Sequence, residues 1–96
     1  MITIKEIKVN GRSVETLCMK LQEKNLIVLR GAKGYIMCGY LNMDAANKFN
    51  EVAVKITGVA TIDEALKASA AEASVAAAAL GIKPGQPVKE ILGLIA

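Results

Sequence analysis

The chain has 96 residues, 53% hydrophobic and 22% charged, which is the length of one domain and too apolar for a disordered segment. Histidine is absent, so histidine-based catalytic triads, Cys–His dyads and histidine metal sites are excluded together. The net charge is +3, but the 12 basic residues are scattered and no two are adjacent, which speaks against a nucleic-acid binder.

In chain order, Ile2 to Val9 reads as a strand that ends at Asn10-Gly11, a dipeptide suited to a two-residue hairpin. The return strand runs from about Arg12 to Leu21. Leu17, Met19 and Leu21 lie on one of its faces, and Val14, Thr16 and Cys18 on the other. The apolar phase of the first strand changes from Ile2/Ile4 to Ile7/Val9, which suggests a bulge near Lys5-Glu6. Leu26–Leu29 and Tyr35–Leu41 are apolar on both faces, as strands covered from both sides would be. Between them, Gly31-Ala32-Lys33-Gly34 makes a tight connection.

Helices are expected in the second half. Asn42 is a cap, Asp44 sits in the first turn, and Ala45, Phe49, Val52, Ala53 and Ile56 form one apolar stripe. Asn50 is a point of interruption and Gly58 a stop. Thr61-Ile62-Asp63-Glu64 is a capping box opening a helix to Leu80, with Gly81 as a left-handed stop and nine alanines among its 19 residues. Pro87 suits the first position of a last helix, Val88 to Ile95. The expected class is therefore α+β: a meander of about four antiparallel strands (1–41) packed on about three helices (42–96), in one domain.

Three helices on one side leave the other sheet face apolar, and a soluble monomer rarely exposes such a patch. A second copy of the chain is its simplest cover, with Val14, Thr16, Cys18, Val28 and Met37 as interface candidates. The alanine-rich helix fits either a partner-helix interface or packing on its own sheet.

The string Arg30-Gly-Ala-Lys-Gly-Tyr-Ile-Met-Cys-Gly-Tyr-Leu41 resembles the domain of unknown function 1805 family of small archaeal and bacillar proteins, the YunC-like proteins among them. Gly34-Tyr35-Ile36-Met37-Cys38-Gly39 is its most specific part. Gly58-Val59-Ala60-Thr61-Ile62-Asp63 and Leu80-Gly81-Ile82-Lys83-Pro84-Gly85 extend the likeness over nearly the whole chain. The resemblance implies a small α+β protein whose amino-terminal strands form a tetramerisation region, and it carries no catalytic residues.

Cys38 is the catalytic candidate, flanked by Gly39 and close to the cap Asn42; the plainer reading is a buried structural cysteine. Arg30, Gly31, Lys33 and Gly34 could hold an anion on a glycine turn, or simply form a hairpin. No metal or cofactor is expected. The favoured function is a non-enzymatic, self-associating binding or structural module. The rivals are a thiol-dependent enzyme centred on Cys38 and a small-anion or metabolite-binding module at the Gly31–Gly34 turn. The longest uncharged apolar run, Ala73–Ile82, is about half the ~20 residues a spanning helix needs, and no signal segment is apparent. A cytoplasmic protein without membrane partners is expected, its two cysteines reduced. Mass measurement of the denatured protein should find an alkyl adduct on both Cys18 and Cys38 without prior reduction; absence of both adducts would contradict this.

Overall fold

The Asn10-Gly11 turn forms with φ of 52° and 79°, a conformation that glycine and asparagine tolerate best. It joins Ile2–Val9 (β1) to Arg12–Lys20 (β2) in an unbroken antiparallel register from Ile2↔Met19 to Val9↔Arg12. The computed structural model describes residues 2–96. No bulge interrupts β1. Its change of phase has another cause: Ile2 and Ile4 lie on one face of the sheet, whereas Ile7 and Val9 pack on the core of the other.

Asn25–Arg30 (β3) and Tyr35–Met37 (β4) continue the meander. The expected long helix after Asn42 is instead a short one, Met43–Lys48 (α1), capped by Asn42, whose side chain accepts from Ala45 N–H at 3.1 Å. Asn50 then takes φ 56° and turns the chain, and Ala53–Lys55 (β5) pairs parallel with β4. The apolar spacing that suggested one helix to Ile56 joins two different elements, and Phe49 ends 69% exposed.

The alanine-rich segment is also divided. Ile62–Lys67 (α2) keeps the Thr61 cap, whose Oγ1 accepts from Glu64 N–H, while Glu64 Oε1 reaches one residue past the cap and accepts from Ala60 N–H. The chain then extends, and Glu72–Ala73 (β6) adds to the edge of β5 before Val75–Ala79 (α3). Ser74 makes this break. Fully buried, its Oγ donates to Glu51 O, accepts from Ala53 N–H, and caps α3 through Ala77 N–H. Pairing with the free edge of β5 outweighs the helix preference of alanine, a weak prior in any tertiary context. Gly81 follows α3 at φ 91°, and Val88–Ile95 (α4) forms after Pro87.

Among the described residues the result is a mixed six-stranded sheet in the order β1-β2-β3-β4-β5-β6, with four helices, so the α+β class holds while two strands and one helix exceed expectation. The helices do not all lie on one side. One core gathers Val14, Ile27, Leu29, Ile36, Val54 and Ile56 of the sheet against α2, α3 and α4. A smaller core joins Leu41, Ala46 and Ala53 with Tyr35, Met37 and Met43, so α1 covers the opposite face at β4 and β5. Among the described residues no helix is long and apolar enough to cross a membrane.

Two local constraints anchor this arrangement. Lys33 N–H donates to Ile95 O at 2.8 Å, and a methyl group on Gly31 would overlap that same carbonyl. On the α1 side, Tyr35 OH donates to Glu51 Oε1 at 2.9 Å. Partial burial and then the Glu51 carboxylate push the Tyr35 hydroxyl up from 10.0 to about 12.

Gly31→Ala should cost about 1–3 kcal/mol by forcing α4 off the turn, read from the urea midpoint; an unchanged midpoint would contradict the close packing. Since the folded state holds Tyr35 protonated beyond its ordinary value, its contribution is fully present below pH 10.0 and lost as pH rises through about 12. A Tyr35→Phe variant should accordingly lose less stability than the parent over that interval, measured by urea unfolding; parallel losses would refute the linkage.

Candidate functional site

The five interface candidates divide between the faces. Val14 and Thr16 are 0% and 2% exposed within the protomer, on the face that α2 and α4 cover. Thr16 Oγ1 donates to Lys5 O at 3.2 Å, which satisfies its buried hydroxyl. Cys18 shares that face and packs half-buried on the same core. Val14 and Thr16 cannot meet a partner without unpacking the chain, and Cys18 faces the helices beside them. Val28 and Met37 belong to the opposite face, where register aligns Ile4, Leu17, Val28 and Met37 in one row and Ile2, Met19 and Leu26 in the next.

This opposite face is covered by α1 only at the Met37 end. Toward β1 it is open, with Ile2 57% and Ile4 64% exposed. The apolar rows stop at a polar border. Arg30 pairs with Glu15, while Glu6 accepts from Ser13 at 2.8 Å and lies 3.2 Å from Lys8 Nζ. The Ser13 hydrogen bond, then Lys8, lowers the Glu6 pKa from its ordinary value. Border charges of both signs are thus matched within the chain.

The Gly31–Gly34 turn spends two of its four amides, and the neighbouring Arg30, on the chain itself. Gly31 N–H donates to Gly34 O and Lys33 N–H to Ile95 O, both at 2.8 Å, and the Arg30 guanidinium is held by Glu15. A Cβ on Gly34 would lie 2.6 Å from Val52 Cγ1. These glycines serve close packing of α4 and of the strand entering β5.

Cys38 lies just beyond β4 and is 5% exposed. Its Sγ accepts from Ile27 N–H at 3.4 Å, and its own backbone N–H donates to Ile27 O at 3.1 Å. Cys18 pairs with Ile27 from the other side, so β3 separates the two thiols by two strand spacings, about 10 Å, too far for a disulfide. Both cysteines are free. Among the described residues no cluster of three potential metal ligands occurs.

Cys38 also forms part of a cleft of about 500 Å³ that sequence reasoning did not find. Its walls come from three loops at one end of the sheet: Glu23-Lys24-Asn25, Cys38-Gly39-Tyr40 and Thr57 to Ala60. Asn25 Nδ2 donates to Ala60 O at 2.7 Å and ties the first loop to the third. The signal available in sequence was the pair Gly39 and Gly58, of which only Gly58, at φ 72°, needs glycine for its backbone.

Comparison with known proteins gives a concordant picture. The crystal structure of a protein of unknown function, TA1206, from Thermoplasma acidophilum is similar at a TM-score of 0.97 and 36% identity, covering 100% of this chain and 94% of that one. The uncharacterized protein YunC of Bacillus subtilis (strain 168) is 35% identical over 96% of this chain and 95% of its own. A family model described as domain of unknown function (DUF1805) matches residues 37–95, and this chain belongs to that family.

Proposed function

We propose that the protein acts as a self-associating module in which a second copy covers the open face of β1, β2 and β3, and that binding or structural support, not catalysis, is its task. The observation that carries this reading is the pair of apolar rows Ile4-Leu17-Val28 and Ile2-Met19-Leu26, opposite the helices. A sheet face can pack on its own copy about a twofold axis, since an isologous contact needs only one self-complementary patch. The border favours a copy over a charged partner, because Glu15, Arg30, Glu6 and Lys8 already neutralise one another. Burial of about 800 Å² per protomer is the usual scale for a stable contact, although area alone does not set affinity. The role expected for the amino-terminal strands from family resemblance agrees with this reading.

Substitutions on the two faces of β2 separate assembly from folding. Met19→Asp should give a folded but smaller species by light scattering, with its far-ultraviolet dichroism retained. Val14→Asp places a charge in the protomer core and should unfold the chain. A parent protein that is monomeric at micromolar concentration, or a Met19→Asp variant of unchanged mass, would overturn the proposal.

A further inference from the structure

The cleft at the end of β4 and β5 has a topological origin. Among the described residues these strands are the one parallel pair in the sheet, and their last rung is Ile56 N–H donating to Met37 O at 2.9 Å. Beyond it, the loop from β4 leads to α1 on one face, and the loop from β5 leads to α2 on the other. Neighbouring loops that leave in opposite directions open a crevice at the carboxyl ends of their strands, the place where open sheets with helices on both faces take ligands. Here the crevice holds about 500 Å³, within the range of small-molecule sites.

Its lining narrows the chemistry. Gly39 and Tyr40 are the central residues of a turn closed by Leu41 N–H to Cys38 O at 3.0 Å. The amides of Gly39, Tyr40, Gly58 and Val59 donate to no other described residue. Nothing lies within 4 Å of where a Cβ would stand on Gly39 or Gly58, so backbone there is open to close approach. Free amides and the Lys24 ammonium favour an anion, while Glu23 beside Lys24 balances the charge and disfavours a polyanion. Tyr40, 51% exposed, and Val59 supply apolar area for a flat body. The walls are set before any ligand arrives: Asn25 holds Ala60, and Glu64 holds the same residue.

We propose that this crevice binds a small metabolite carrying one carboxylate on a planar apolar body, with Lys24 and the loop amides receiving the carboxylate and Tyr40 the body. The lining of this site shares no residue with the apolar rows of the open sheet face.

The test is a titration of the native protein followed by amide ¹H–¹⁵N spectra, with benzoate, acetate and benzyl alcohol as probes. Benzoate should give saturable shifts centred on Gly39, Tyr40, Gly58 and Val59, at a Kd on the order of millimolar, as a probe of this size would. Acetate and benzyl alcohol, each lacking half of the recognised chemistry, should bind at least ~5-fold more weakly. Lys24→Ala should weaken benzoate by roughly 3- to 10-fold, the scale of one partly exposed charged contact, and Lys33→Ala should leave it unchanged. Shifts that never saturate, shifts spread over the basic surface, equal binding of benzyl alcohol, or an indifferent Lys24→Ala variant would each overturn the assignment.

Discussion

The parallel pairing of Tyr35–Met37 with Ala53–Lys55 is the constraint on which the rest of this structure turns. Strands that run the same way cannot be joined by a tight turn, so the chain must cross a face of the sheet between them. Helix α1 is that crossing, and it builds the second core around Leu41, Ala46 and Ala53. The helices that follow lie on the other face and close the larger core. One short pairing thereby gives the sheet two apolar faces, divides its helices three to one, and opens a crevice where the loops part.

The same pairing explains what could be read from the sequence and what could not. The hairpin at Asn10-Gly11, the caps at Asn42 and Thr61 and the helix after Pro87 are local chemistry, and each appears where its residues stand. Strands β5 and β6 are three and two residues long. Their existence depends on partners far along the chain, so an Ala-Val-Lys triplet inside a helical stripe carries no signal of its own. Alanine was equally misleading between Lys67 and Val75. Its small side chain suits a helix, but it also lets Ala70, Ala73 and Ala77 approach the sheet closely, and buried Ser74 decides between the two.

The candidate sites follow the same division. Cys38 and the glycine turn stand out by residue type, yet two of the turn's amides donate to Gly34 and α4, and the thiol accepts from Ile27 N–H. Cys38 lines the crevice, but the rest of its lining carries no sequence signature: a lysine, a tyrosine, two glycines and backbone from three loops. Such a site is a property of topology. The two-faced pattern of the strands was legible, but which side was covered was not, because Val14 and Met19 are equally apolar in a linear reading.

The double phase of β1 bears on how its alignment is specified. In most half-buried strands the alternation of apolar residues fixes register, because a slip by one residue would turn the whole set outward. β1 carries Ile2 and Ile4 on one side and Ile7 and Val9 on the other, so a slipped strand would still offer two branched apolar side chains to each face. Its own pattern is thus nearly degenerate with respect to sliding. The information that removes the degeneracy lies in the two residues of the turn, whose positive φ angles permit a two-residue loop and pair Val9 with Arg12. Helix α4 reads the same spot, for a Cβ on Gly93 would stand 3.2 Å from Asn10 Nδ2. Alignment of the first strand is therefore encoded at its far end, in a turn that the last helix abuts.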